Sequence, residues 1–375
     1  MKTALIHTDA YTRFDYGPEH PLRMERLGLT WRLMQAYGLT SMPDARVLTP
    51  EPADEAAIAT FHHPAYLDVL KAANAGADPP GAAMWGLGYG DNPIFPGVWE
   101  VSRIVAGGSI LAAEIVANGD VDRAFHFAGG LHHALAARAS GFCYVNDPVL
   151  AILTLRARGL RVAYVDIDAH HGDGVQIAFY GDPNVLTIST HERGDRLFPG
   201  TGFVEDAGEG EGTGYSVNLP LEAYTDTEAY LPAFDEVVPP LVRAFAPDVI
   251  VAQLGIDSHR TDPLTHLALD VQGFAAAFRR ILGLAPKIVA LGGGGYDLRN
   301  VARAWTVAWA LMNEVELPAE LPAAFDRDLH AYDFETRSLW DEPFAIPPDA
   351  RRRITDYADR QVAAIRRLIF PLHGL

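Results

Sequence analysis

The sequence predicts an α/β fold: one domain with a central, mostly parallel sheet flanked by helices and an active site at the carboxyl ends of the strands. Two observations carry this. Short runs rich in β-branched and apolar residues alternate with segments of helical composition, the order a parallel sheet requires. Several runs then hand over to acidic, histidine and tyrosine residues at their C-terminal ends, where open parallel sheets bind ligands.

Taken in order, strands are expected at 3–7 (TALIH), 123–129 (RAFHFAG, the weakest), 161–167 (RVAYVDI), 184–190 (NVLTIST), 248–255 (DVIVAQLG) and 287–293 (KIVALGG). Helical composition falls at 97–118, 147–158, 228–245 and 271–284. The chain ends in DARRRITDYADRQVAAIRRLIFPLHGL, whose Ile and Leu spacing suits an amphipathic helix with its basic residues as a solvated face. A single domain over 1–375 is expected, with a core over about 1–310 and a helical extension over about 311–375.

Composition excludes several classes. With 49% hydrophobic and 21% charged residues the chain reads as globular, without repeats or low-complexity tracts. Its 48 acidic residues against 30 Lys and Arg give a net charge of −18, which argues against a nucleic-acid binder and suits a cationic or neutral ligand. No apolar run reaches the ~20 residues of a membrane span. The N-terminus MKTALIHT lacks a secretory apolar region, and Cys143 stands alone, so a cytoplasmic location is expected.

The stretch VAYVDIDAHHGDG (162–174) places acidic residues and histidines directly after an apolar run. Alternation along an extended chain puts Asp166 and Asp168 on one face, and His170 joins them if the chain stays extended. The missing ligand could come from a neighbouring strand end, where GIDSH places Asp257. Two carboxylates, an imidazole and an open position describe a catalytic Zn²⁺ or Fe²⁺ site better than a closed structural one. Read alone, a DxH pattern is more often a cap or a surface ion pair. The convergence of polar groups at successive strand ends decides for the site.

Two carboxylates formally cancel the charge of a dication, so such a metal needs a base for its water and a further donor for a developing oxyanion. GGLHHA supplies His132 and His133, and Asp166 and Asp173 remain as carboxylates to orient them. Tyr296, after Gly292–Gly295, can offer a phenolic O–H from a glycine turn that lets backbone approach a ligand. A phosphate-loop reading of that run fails, because Asp297 stands where a third glycine is required.

Together these residues resemble the histone-deacetylase-like zinc hydrolases of the arginase–deacetylase superfamily, and the layout is most similar to the bacterial acetoin-utilisation deacetylases. The motifs run in order through HPLRMERL, DNPIFPG, GGLHHA, GFCYVND, VDIDAHHGDG, LFPGTG, GIDSHRTDPL and GGGGY, over roughly residues 5–310. The resemblance implies metal ligation by Asp168, His170 and Asp257, catalysis by His132 and His133 with Asp166 and Asp173, and a transition-state role for Tyr296. It further implies an acyl-lysine channel walled by Phe142 and Phe198, with Gly141, Leu264 and Gly294 nearby and Asp91 at the rim, and an internal pocket with Arg26. Structural K⁺ is implied at Asp166, Asp168, His170, Ser189 and Thr190, and at Phe179, Asp182, Val185 and Tyr215.

What the resemblance implies is hydrolysis of the acetyl amide of acetyl-lysine in proteins, acetyl-CoA synthetase being one candidate substrate, with no nucleic-acid or membrane partner. An acetylpolyamine hydrolase would share every catalytic residue. An arginase-like binuclear hydrolase would leave the paired histidines and GGGGY without a role, and intact Tyr296 weighs against an inactive acyl-binding module.

Overall fold

Eight strands form the sheet in the computed structural model, which describes residues 1–88 and 90–375. They are β1 (Thr3–Ile6), β2 (Ala45–Leu48), β3 (Arg123–His126), β4 (Val162–Asp166), β5 (Val185–Glu192), β6 (Ser216–Leu221), β7 (Val249–Gln253) and β8 (Ile288–Leu291). Their order is β2-β1-β3-β8-β7-β4-β5-β6, and every pairing is parallel, so the expectation of a mostly parallel sheet sharpens to a wholly parallel one.

Both faces of the sheet are buried, which explains why the inner strands read as unbroken apolar runs. Ile6, Ala124, Val162, Val249 and Val289 face one layer, where they meet residues of the helices Val98–Ala117 and Asp147–Arg156. The alternate residues Leu5, Phe125, Ala163, Ile250 and Ile288 face the other. That layer is built on Thr227–Phe245, Val271–Leu282 and Leu298–Met312.

Sequence reasoning missed both sheet edges for a physical reason. The middle of β2 is exposed, and β6 carries Asn218 and Pro220, a residue tolerated where one side of the strand needs no donor. It also missed the helices Glu25–Ala36, Pro64–Ala72 and Leu298–Met312.

The amphipathic C-terminal helix is present, with two differences from the expectation. Residues 313–347 hold only short helical turns, and the long helix is Pro348–Leu368. It buries Ile354, Ala358, Val362 and Ile365 against Thr227–Phe245 and β6. Its basic residues are not all solvated: Arg351 forks onto the Asp226 carboxylate, which itself caps Thr227–Phe245. No helix among the described residues is long and apolar enough to cross a membrane.

Candidate active site

The four strands whose following loops carry the candidate residues, β3, β8, β7 and β4, are consecutive neighbours in the centre of the sheet. Asp166 lies opposite Gln253 in the β4–β7 pair, so the chain emerging from β7 delivers Asp257 beside the chain emerging from β4. The extended-chain reading of 166–170 is corrected, because β4 stops at Asp166 and the chain then bends. Asp166 accepts from the Asp168 N–H at 3.0 Å and Asp168 from the His170 N–H at 2.9 Å. These side-chain-to-backbone turns gather the residues in place of strand alternation.

Ligand atoms of Asp168, His170 and Asp257 all lie within 4.8 Å of one another. His170 Nδ1 sits 2.8 Å from Asp257 Oδ2 and 3.2 Å from Asp168 Oδ1, and all three residues are buried. Two buried carboxylates around one imidazole demand a cation. Burial opposes a charge on His170, yet Asp257 and Asp168 favour it and shift its pKa well above the usual value. Burial and then Asp168 push Asp257 up to about 6. Two hard oxygens and a nitrogen on one buried concavity fit a divalent metal.

Glycine at two positions is what admits the carboxylates. A Cβ on Gly255 would lie 2.0 Å from Asp168 Oδ2, and one on Gly294 would lie 2.1 Å from Asp257 Oδ2 and 2.8 Å from Asp168 Oδ2. The Gly294 N–H also donates to Asp168 Oδ2 at 2.7 Å. Gly294→Ala is therefore expected to weaken metal binding by roughly tenfold or more, the scale seen when ligand-supporting groups are lost. Metal per chain and metal affinity check this, and unchanged affinity contradicts it.

His132 and His133 stand beside this cluster. Each Nδ1 is 2.7 Å from a carboxylate, His132 from Asp166 and His133 from Asp173, while the two Nε2 atoms are 3.0 Å apart. With each Nδ1–H donated to its aspartate, the facing Nε2 atoms share one proton between them. Burial disfavours charge on both rings. On His132 the carboxylates of Asp166 and Asp168 outweigh it and push the pKa up to about 9. On His133 burial, reinforced by His132, pushes it down to about 4. His132 thus keeps the shared proton, and His133 is the free base.

Tyr296 is held by its backbone: its N–H donates to Asp262 at 2.9 Å, and Arg26 donates to the carbonyls of Gly293 and Gly295 on either side of Gly294 at 2.8 and 3.0 Å. Burial, then Asp257 and Asp168, keep the phenol pKa well above its usual value, so it remains a donor. Arg26, His132, His133, Gly141, Phe142, Asp168, Gly294 and Tyr296 line one small inner cavity. Gly294, expected at the substrate, lies at the inner end among the metal-site carboxylates.

Outward from this cavity lies a groove of about 570 Å³, lined by Tyr16, His20, Asp91, Phe142 and Leu264 among others. Phe142 borders both spaces and meets Tyr296 edge-on at 5.6 Å between centroids, while Phe198 meets His133 edge-on at 5.0 Å. Phe142 adopts φ 67° after Gly141 at φ 49°, a left-handed conformation that costs a side-chain-bearing residue about 1 kcal/mol or more. Its carbonyl is fixed by the Tyr16 hydroxyl at 3.1 Å and its ring by His20.

Of the residues expected at monovalent cations, Ser189 lies opposite Asp166 in the β4–β5 pair and Thr190 Oγ1 donates to the Asp166 carbonyl at 3.1 Å. Phe179, Asp182 and Val185 follow one another through turns, the Asp182 N–H donating to the Phe179 carbonyl and the Val185 N–H to that of Asp182. The Tyr215 carbonyl accepts from the Thr187 N–H beside them.

Three supporting residues escaped sequence reasoning. Gln253 donates to Asp168 Oδ2 at 2.9 Å, Tyr164 to Asp166 Oδ2 at 2.6 Å, and Asp262 positions Tyr296. Gln253 and Tyr164 did carry a signal, each being a polar group inside a central apolar strand.

Comparison with known proteins agrees with this geometry. The histone deacetylase domain family matches residues 20–312. The chain is 39% identical to acetoin utilization protein AcuC of Bacillus subtilis over 328 residues, covering 85% of this chain and 84% of that protein. It is 41% identical to histone deacetylase 9 of Arabidopsis thaliana over 310 residues, covering 82% and 72%. The crystal structure of an HDAC homolog from Aquifex aeolicus superposes with a TM-score of 0.88 at 32% identity, over 96% of this chain and all of that one. An all-parallel sheet, a buried Asp/His/Asp cluster beside paired histidines and these matches together establish that the chain belongs to the histone deacetylase family, within the arginase–deacetylase superfamily.

Proposed function

We propose that the protein hydrolyses the acetyl amide of Nε-acetyl-lysine in protein substrates, using Zn²⁺ or Fe²⁺ held by Asp168, His170 and Asp257. The observation that carries this reading is the path of Phe142. It borders an outer groove and also the inner cavity where paired histidines, Tyr296 and Asp168 meet. Together with Phe198, whose ring meets those of His133 and His170, it would enclose the four side-chain methylenes of acetyl-lysine, worth roughly 0.8 kcal/mol each before ordering costs. A cation bound by the three ligands supplies a Lewis acid for the acyl carbonyl and a more acidic water.

The chain's own residues do the rest. His133 Nε2 accepts the proton of the attacking water, and Asp173 stabilises the imidazolium that forms. The proton shared with His132 lets the pair protonate the departing amine. Tyr296 donates its O–H to the oxyanion, and Asp91 at the groove grips the substrate backbone. Asp173→Asn removes the carboxylate that raises the basicity of His133. The acid limb of the pH–kcat profile is then expected to move to lower pH, with kcat reduced by about 10–10². An unmoved limb would separate Asp173 from the base.

Monovalent cations, K⁺ in this reading, bind beside Asp166, Ser189 and Thr190 and beside Phe179, Asp182, Val185 and Tyr215 and support the fold, which a K⁺-dependent melting temperature would test. A cytoplasmic setting and acetyl-CoA synthetase as a substrate follow from likeness to the acetoin-utilisation group. The net charge of −18 also suits an acetylpolyamine. A steady-state panel of acetyl-lysine peptides, longer acyl-lysines and acetylpolyamines decides. Peptides are expected to lead in kcat/KM by roughly tenfold or more, and the reverse order would move the assignment to polyamines.

A further inference from the structure

The segment 130–134 carries both histidines, and a pair of residues at the start of the next helix holds its backbone on both sides. The Asn146 side-chain amide donates to the carbonyls of His132 and Ala134 at 3.0 and 2.9 Å. The Asp147 carboxylate accepts from the N–H groups of Gly130 and Leu131, each at 2.9 Å. Asn146 and Asp147 begin the helix Asp147–Arg156, and the Asn146 Oδ1 caps it by accepting from Val149 N–H at 3.1 Å. The pair therefore ties the histidine segment to a rigid helix terminus.

Behind Asp147 runs a buried chain with a defined direction. Ser109 has one hydroxyl proton and gives it to Asp147 Oδ2 at 2.6 Å. Its oxygen must then accept from His126 Nδ1–H at 2.9 Å, which leaves His126 Nε2 bare to accept the Tyr11 O–H at 2.8 Å. Burial pushes His126 down to about 3, consistent with a neutral ring. Tyr11, Ser109, His126, Asn146 and Asp147 are all completely buried. There is no slack in the packing, since a Cβ on Gly129 would fall 2.5 Å from Asp147 Oδ2 and 2.6 Å from Ser109 Oγ.

We propose that Asn146 and Asp147 are a clamp that sets the aim of His132 and His133, with Asp147 as a positioning residue for their proton transfer; the proposal rests on the assignment of that transfer to the two histidines. Neither clamp residue reaches the reacting atoms. Their effect is to hold two imidazoles with their Nδ1 atoms 2.7 Å from carboxylates and their Nε2 atoms 3.0 Å apart. A displacement of about 1 Å in such an arrangement costs about 10² in rate. An amide at 147 would direct its NH2 either at the N–H of Leu131 or at that of Gly130, so the segment has to move in either orientation.

The test is Asp147→Asn in the metal-loaded enzyme, compared with Ser109→Ala. Asp147→Asn is expected to lower kcat by roughly ten- to a hundredfold, with KM within about twofold and metal per chain unchanged. The low-field imidazole N–H proton resonances of the two His–Asp pairs should shift. Ser109→Ala removes one donor to Asp147 but neither bond to the histidine segment, so its kcat should fall less even where its melting temperature falls as far. Equal kcat losses in the two variants, or wild-type kcat and unshifted resonances in Asp147→Asn, overturn the clamp. Should Asp147→Asn fail to fold, Asn146→Ser deletes the amide donor and keeps a capping oxygen. A kcat loss at constant KM there supports the clamp, and wild-type kcat overturns it. A wild-type enzyme inactive on every acylated amine would refute the functional reading, and the resonance shift would still decide the clamp.

Discussion

Tyr296→Phe is expected to lower kcat by about 10²–10³ while KM changes little, because in the proposed mechanism only the transition state carries the charge that the phenol would stabilise. The ring remains, so its contact with Phe142 and the bond from its backbone N–H to Asp262 survive. Metal content stays normal, since Tyr296 is not among the three ligands. The large expected effect follows from charge: two aspartates would formally cancel a bound dication, so the proposed metal alone would not replace the lost donor. Near-normal kcat with raised KM would make Tyr296 a substrate-positioning residue instead.

His133→Ala is expected to lower kcat by about 10²–10⁴, the range supplied by a positioned proton-transfer group, the role proposed for it. Its neutral Nε2 faces the shared proton of His132, and its ring lies against Phe198 at the approach to the inner cavity. His132→Ala is expected to cost less, because it removes the stored proton and leaves the base in place. Steady-state kinetics on variants with measured metal content check the order. A larger loss at His132 would reverse the assignment of base and proton store.

Much of this site is legible in the sequence because its residues follow uninterrupted apolar runs, and such runs end at one rim when strands are parallel. Asp166, Asp168, His170 and Asp257 could be placed together before any coordinate was known, since two adjacent strands would suffice. How they converge was not legible: turns at Asp166 and Asp168, not strand alternation, draw them in, and these depend on backbone donors. Asp262 bonds to a residue that follows a neighbouring strand, and Arg26 is 267 residues from the carbonyl of Gly293 that it holds. Local pattern carries no signal for such pairings. Edge strands were lost for the opposite reason, because β2 is exposed in its middle and β6, although buried, is interrupted by Asn218 and Pro220. The role of Arg351 against Asp226 likewise depends on where the last helix docks.

The central claim is that deacetylation depends on a metal bound by Asp168, His170 and Asp257. Acetate release from an acetyl-lysine peptide, followed on protein of counted metal content before chelation, after chelation and after adding back Zn²⁺ or Fe²⁺, tests it most directly. Activity should vanish with the metal and return with it, and Asp257→Ala should neither retain the ion nor recover. Full acetate release from protein verified to be metal-free would contradict the account.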